Sequence, residues 1–466
     1  MLKISLRFKA NNKNDIKIMK LSKLALASAI SLVAVGCTHS ESVQVSAKKT
    51  QYISLNVSHN ATVKESNKIA FLAFGDGGYS VHYPKAKHIK NPKNRQQFIQ
   101  KEIEDWQEDY RPMSEFDHAP LYVYPNTQTT TEQSGAIPVG QAMAKMCGQK
   151  VCDFAIQLGD NIYPDGADAN DGKDDTKRMN DLILAPLKPL FEQQKDLMVF
   201  SSLGNHDWKT SRKGVALQTQ WMTTQPNFTM PESGYYQFKI GEPGNDVEFF
   251  VLDTNMLLSG QTFYEVALNE KGEEQSLAQG LAKGVAELEN HELHEKPQTN
   301  EDRKQLAWFE QAISQSTAKW KVVYGHHILW SIGGTKYSEG HVLRPLIMPS
   351  LCRYADAYIA GHEHDLELLT DDCSKYTPHS NQGELPLIIS GAASKMRGTH
   401  TPFAKYQEKQ YPEYELIWNK SFTWGFSRVV LDNDSDTLSV EFYTTPRSGN
   451  GALETQAQFS FKRRNQ

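Results

Sequence analysis

Five apolar runs of strand length share one grammar: each ends at a glycine followed by Asp, Asn or His. Residues 69–74 stop at Gly75-Asp76-Gly77-Gly78, and residues 153–158 stop at Gly159-Asp160-Asn161-Ile162-Tyr163. Residues 197–203 stop at Gly204-Asn205-His206-Asp207, residues 320–324 at Gly325-His326, and residues 357–360 at Gly361-His362-Glu363-His364. Short apolar runs closed by glycine turns predict buried strands, each delivering a polar side chain at its C-terminal end. Helical spacing fills residues 138–148, 175–193 and 302–317; in the last, Leu306, Phe309 and Ile313 recur three and four apart. Strands alternating with helices predict an α/β layered fold. Further strands are expected at 249–253, 387–391, 427–431 and 438–443, with few helices between them, which suits a second sheet packed on the first.

The ends and interruptions of this pattern set the domain plan. Met19, Lys20 and Lys23 precede an apolar run at 24–36 that stops at Cys37. That run falls short of the roughly 20 residues a spanning helix needs, so 1–37 reads as a signal peptide, with Met19 as the alternative translation start. Ala34-Val35-Gly36-Cys37 resembles a lipobox, making Cys37 the candidate lipidation site and membrane anchor. The expected destination is export, as a periplasmic or outer-membrane lipoprotein or otherwise as a secreted protein. Residues 38–66, rich in Ser, Lys, Thr and Asn, are expected to be a tether, 67–450 one large domain, and 451–466 a C-terminal tail. Two stretches read as insertions of loops or small helices, one near 79–134 beside the first motif and one near 257–299.

Composition narrows the partners. With 50 basic and 55 acidic residues the formal net charge is −5, which provides no basic field for nucleic acid or an anionic membrane surface. A small charged substrate stays compatible. Besides Cys37 there are four cysteines, an even count that in an exported chain favours disulfides. Local pairing of Cys147 with Cys152 and of Cys352 with Cys373 is expected among the three possible connectivities.

The motifs describe a two-metal phosphoester hydrolase. Hard carboxylate and imidazole donors spread over several strand ends are what a pair of catalytic ions requires. Asp160 is the expected bridge between the ions, Asp76 a carboxylate for one, and Asn205 a carbonyl oxygen for the other. His326, His362 and His364 supply imidazoles; in His362-Glu363-His364 alternate side chains point the same way and Glu363 points elsewhere.

This set resembles the metallophosphoesterases, with one departure: where most members carry Asp-x-His, this chain has Asp76-Gly77-Gly78. Tyr163 is placed to supply the missing ligand as a phenolate, which favours a ferric ion. The whole resembles the purple acid phosphatases of the small, tartrate-resistant type over roughly residues 68–445. The likeness includes Asn227-Phe228-Thr229-Met230-Pro231 ahead of Tyr235-Tyr236, Leu252-Asp253-Thr254 and Trp330-Ser331-Ile332. The resemblance implies a four-layer α-β-β-α sandwich of two mixed sheets with the dinuclear site at strand C-terminal ends. It further implies Fe(III) on Asp76, Asp160, Tyr163 and His364, and a divalent ion (Fe, Zn or Mn) on Asp160, Asn205, His326 and His362.

The expected activity is that of an acid phosphatase acting on small phosphomonoesters, by in-line attack of a metal-bound hydroxide. His206 is expected to face the phosphate and to stabilise charge or protonate the leaving oxygen. Relatives carry another substrate-side histidine nine residues after the one equivalent to His326; here Thr335 stands there, and Lys336 or His341 are the candidate replacements. His327 is a weaker candidate. A monomer is implied. The competing readings are a phosphodiesterase or nucleotide hydrolase on the same site, and a non-catalytic surface lipoprotein that keeps the fold for binding.

Overall fold

Neighbouring residues on each central strand enter different cores. In Lys68–Phe74, Ile69, Phe71 and Ala73 belong to one buried cluster while Leu72 and Phe74 belong to another. Val247–Val251 and Trp320–Tyr324 divide in the same way, Phe249, Val322 and Tyr324 facing the first cluster, and Phe250 and Val323 a third. A strand buried on both faces has no polar side to alternate with, which is why these runs read as continuously apolar. The computed structural model describes residues 63–464 and the strand Ser54–Leu55, apart from 65–66, 110, 260–261, 265–287, 291–298, 334–335 and 379–381. The expected signal segment with Met19 and Cys37, most of the tether and of the 257–299 insertion, and Thr335 lie outside the described residues.

Two mixed sheets carry the fold. One has eight strands in the order Ser54–Leu55, Tyr236–Ile240, Val247–Val251, Trp320–Tyr324, Ala357–Ala360, Leu385–Ser390, Leu366–Asp371 and Tyr414–Lys420. The other has seven: Glu454–Lys462, Thr437–Thr445, Trp424–Asp432, Lys68–Phe74, Phe154–Gln157, Met198–Ser201 and Phe228–Thr229. Parallel pairing runs through Val247–Val251, Trp320–Tyr324, Ala357–Ala360 and Leu385–Ser390 in the first sheet. In the second it runs from Lys68–Phe74 through Phe228–Thr229. The sheets face each other through aromatic rings, Phe200 stacked on Phe238 at 4.0 Å and Phe71 edge-on to Phe249 at 5.2 Å. Helices Ala136–Cys147 and Ala185–Gln193 cover the outer face of the seven-stranded sheet, and Gln305–Gln315 and Tyr337–Tyr354 that of the other. This is the α/β sandwich expected, and Tyr52–Gln466 form one compact unit.

Four details differ from expectation. The strands near 249–253 and 387–391 do not join those near 427–431 and 438–443 in one late sheet, because each sheet combines early and late segments. The expected tail is in part an edge strand: Glu454–Lys462 pairs antiparallel with Thr437–Thr445, and its Phe459 and Phe461 pack on the inter-sheet core. The helix expected at 302–317 is two, Asn300–Arg303 and Gln305–Gln315, with Thr299 capping the first through a reciprocal bond with Asp302. Within 175–193 one turn, Asn180–Leu184, widens to a π-helix just before Pro186, which has no N–H to donate back into that turn. Both disulfides are local, Cys147–Cys152 and Cys352–Cys373.

The 79–134 insertion holds a helix, Arg95–Glu108, capped by Asn94 and Gln97, and an antiparallel pair of strands, Leu121–Val123 and Thr130–Glu132. It is fastened to the domain by ion pairs from Glu132 to the buried Lys395 at 2.7 Å and to the part-exposed Arg397 at 3.0 Å.

Candidate metal centre

Every ligand turn follows a parallel strand, and the turns of both sheets converge. Asp76, Asp160 and Asn205 leave the seven-stranded sheet, while His326, His362 and His364 leave the eight-stranded one. The Gly75 N–H donates to Ser390 O at 2.8 Å and the Gly361 N–H to His326 O at 3.0 Å, fixing how the turns meet. Approach is close enough that side chains are excluded: a Cβ at Gly204 would lie 2.3 Å from Asp160 N, and one at Gly361 2.7 Å from Asp76 Oδ2. Asp76, Asp160 and His362 adopt left-handed backbone with φ of 58°, 54° and 69°. Such conformations cost of order 1 kcal/mol or more each and persist only where the surroundings over-determine them. Here the His362 N–H donates to Asp76 Oδ2 and the His206 N–H to Asp160 Oδ1, both at 2.8 Å.

The two oxygens of Asp160 face opposite ways, each into its own set of donors. Around Oδ2, the Tyr163 hydroxyl is in hydrogen-bond contact with Asp160 and lies 3.0 Å from Asp76 Oδ1 and 3.3 Å from His364 Nε2. His364 Nε2 is itself 3.2 Å from Asp76 Oδ1. Around Oδ1, His326 Nε2 lies 3.4 Å from Asp160, 3.2 Å from Asn205 Oδ1 and 3.0 Å from His362 Nδ1. All seven residues expected as ligands thus meet, in the two groups of four that share Asp160. All but the half-buried Asn205 are buried.

The second group contains acceptors alone. His326 Nδ1 lies 2.8 Å from the carbonyl oxygen of Leu158, so that nitrogen carries the proton and Nε2 presents a lone pair. His362 Nε2 meets the carboxylate of Glu339, so its Nδ1 also presents a lone pair. Two lone pairs facing each other at 3.0 Å, beside a carboxylate and an amide oxygen, repel unless a cation lies between them. Burial opposes supplying that cation as a proton: it lowers the pKa of His326 against the pull of Asp160, and lowers that of His362 further, with help from Lys336. The donor set therefore fits a metal ion.

Charge in the other group makes the same demand. Burial and the nearby Asp160 push the Asp76 pKa well up, and burial with the two carboxylates pushes up that of Tyr163. Burial also works to raise Asp160, but the imidazoles of His326 and His206 and the Tyr163 hydroxyl outweigh it and hold the carboxyl below its usual range. Asp207 locks the turns behind the centre by accepting from the N–H groups of Gly204, Asn161 and Ile162 at 2.8 to 3.1 Å and from Gln218 Nε2 at 3.1 Å.

Four residues complete or revise the expected site. His206 lies beside the centre, its ring 4.0 Å from that of Tyr163, but Nδ1 meets Pro164 O and Nε2 is 3.2 Å from Lys209 Nζ. Burial lowers its pKa to about 3 despite Asp160, so the geometry presents a neutral ring with the Lys209 ammonium in front of it. Lys336, just ahead of helix Tyr337–Tyr354, donates to His362 O and stands over the centre. His341 does not reach the site: it is exposed and turned to Arg344 Nη2 at 3.3 Å. Two residues beyond Glu339 means about 200° around the helix, which faces it away. Glu339 is the residue that sequence reasoning missed; it groups with His327 and His362, their ligating atoms within 4.8 Å of one another. A lone Glu in the first turn of a helix carries no local sign of that contact.

Residues 139–366 match the family described as calcineurin-like phosphoesterase. Tartrate-resistant acid phosphatase type 5 of Homo sapiens is 26% identical over 262 residues, 55% of this chain and 65% of that protein. Purple acid phosphatase 17 of Arabidopsis thaliana is 24% identical over 305 residues, 63% of this chain and 75% of that protein. The chain spans 59% to 65% of the length of the mammalian relatives it matches. Among solved structures, that of GAP50, the anchor in the inner membrane complex of Plasmodium, has a TM-score of 0.50 at 15% identity, covering 86% of this chain and 89% of its own, a likeness of fold alone. The chain carries a calcineurin-like metallophosphoesterase domain homologous to the tartrate-resistant and purple acid phosphatases.

Proposed function

We propose that the protein is an acid phosphatase that hydrolyses small phosphomonoesters outside the cytoplasm. The observation that carries this reading is the pair of donor groups around Asp160, above all the facing lone pairs of His326 and His362 at 3.0 Å. Asp76, Asp160, Tyr163 and His364 would hold Fe(III), and Asp160, Asn205, His326 and His362 a divalent ion, whether iron, zinc or manganese. Bound there, the pair would supply Lewis acidity and an acidified water, the trivalent ion extending activity below neutral pH.

The chain's own residues do the rest. Asp160 holds the two groups at a fixed spacing, and the Leu158 carbonyl and Glu339 orient the imidazoles that flank it. Lys336 and Lys209 supply the positive charge that a phosphate dianion needs on the protein side, with His206 holding Lys209 in place through Nε2. Disulfides at Cys147–Cys152 and Cys352–Cys373 support an oxidising compartment, and Cys37 would anchor an exported monomer to a membrane.

Initial rates for p-nitrophenyl phosphate and bis-p-nitrophenyl phosphate between about pH 4 and 8 test the proposal. Faster monoester turnover with an acid optimum is expected. Faster diester turnover would make the protein a phosphodiesterase instead, and no turnover of either by protein loaded with two metals would reject an esterase.

A further inference from the structure

Beside the centre lies a cavity of about 300 Å³ that belongs to neither metal group. The 79–134 insertion makes one wall and the loop around Lys395, Arg397 and Gly398 the other. The two spaces are one side chain apart: the Arg397 N–H donates to His364 O at 2.8 Å, and Tyr79, which lines the cavity, sets its ring edge on Tyr163 at 6.3 Å. Arg111 of the insertion ties both loops that flank the centre, donating to Gly398 O and to Gly333 O at 2.8 Å.

Its lining has a definite chemistry. Phe98, Trp106, Phe116 and Phe422 give it aromatic walls. The basic side chains Lys85, Arg111, Lys395 and Arg397 also line it, and Glu132 is taken by Lys395 and Arg397. Glu102 is different: half-buried in the same wall, its carboxylate accepts no hydrogen bond and forms no salt bridge among the described residues. A carboxylate in that position is an acceptor waiting for N–H donors. The four basic groups are matched by Glu102, Asp105, Asp109, Asp117 and Glu132, so charge alone selects no ligand, whereas a flat ring with adjacent N–H groups meets aromatic faces and acceptor together.

We propose that this cavity receives the leaving group of the substrate, and that the preferred substrates are nucleoside monophosphates whose base donates N–H groups to Glu102 while stacking on the aromatic wall. The inference rests on the phosphomonoesterase reading above. It makes Glu102 a specificity-determining residue and the insertion the part of the chain that chooses the substrate.

The test compares kcat/KM of the full chain for guanosine 5′-monophosphate, glycerol phosphate and p-nitrophenyl phosphate, with and without Glu102→Gln. The native chain should prefer the nucleotide over glycerol phosphate by at least about tenfold, and Glu102→Gln should cut the nucleotide to p-nitrophenyl phosphate ratio by about tenfold, chiefly through KM. Equal use of nucleotide and glycerol phosphate, or an unchanged ratio in the variant, overturns the proposal. If none of the three esters is hydrolysed, the phosphomonoesterase reading fails, and calorimetry with guanosine 5′-monophosphate decides the cavity separately. Binding that Glu102→Gln weakens supports it, and absent or unaltered binding overturns it.

Discussion

Removing the Glu339 carboxylate should damage one metal site and spare the other. Glu339 meets Nε2 of His362 and groups with His327 and His362, on the divalent-ion side of the centre. In Glu339→Ala the His362 ring loses the group that fixes both its tautomer and its orientation, so Nδ1 no longer presents a lone pair by default. A charge-assisted hydrogen bond of this kind contributes about 1.5–3 kcal/mol, and losing a carboxylate behind a ligating histidine weakens metal binding by roughly 10- to 100-fold. The two figures agree, since each factor of ten is about 1.4 kcal/mol. Glu339→Gln keeps an acceptor oxygen and should fall at the low end. Competitive chelator titration of zinc or manganese measures the divalent site, while the visible absorption of an iron-phenolate reports the other site in the same sample. Equal loss at both sites, or none at the divalent site, would refute the reasoning.

Three further outcomes are expected. Tyr163→Phe should abolish the visible absorption of iron-loaded protein with little effect on zinc affinity at the other site, read by optical spectroscopy alongside metal counts. Glu132→Gln should lower stability by about 3 kcal/mol in urea unfolding, because it leaves the buried Lys395 ammonium without its carboxylate, while Arg397 stays partly in solvent. Burial raises Asp253 to about 7 against hydrogen bonds from Met256 N and Trp208 Nε1. Its proton is kept longer in the folded chain than in the unfolded one, so this group costs stability progressively from about pH 4 to 7, by at most roughly 4 kcal/mol. Urea midpoints of metal-free native protein and Asp253→Asn should therefore diverge in the variant's favour as pH rises, and parallel curves would contradict the assignment.

Strand ends and the residues that converge on the centre are legible in the sequence because both rest on local chemistry. A strand buried on two faces leaves an apolar run, and a turn that crowds Gly204 against Asp160 leaves a glycine. Glycine and ligand are adjacent in sequence for that reason. What depends on long-range packing left no such mark. Nothing near Glu339 shows that its helix turns it onto His362, and Lys209 lies in a polar stretch like any other. His341 was mistaken for a site residue because proximity in sequence ignores rotation about a helix axis. The edge strand at Glu454–Lys462 did leave a sign, Ala457, Phe459 and Phe461 at period two, hidden among polar residues because one face of an edge strand meets water.

Lys68–Phe74, which positions Asp76, is hydrogen-bonded on one side to Phe154–Gln157 and on the other to Trp424–Asp432, so that Lys68 pairs with Asp432. During synthesis the first ligand strand emerges long before its second neighbour exists. An unpaired strand edge in the middle of a sheet must wait, and such long-range closures are slow. The seven-stranded sheet is finished only when the last hairpin is delivered, and with it the fixed spacing of Asp76 and Asp160. A chain cut short before residue 424 would hold all seven residues of the two groups yet lack the strand that keeps Asp76 and Asp160 in register.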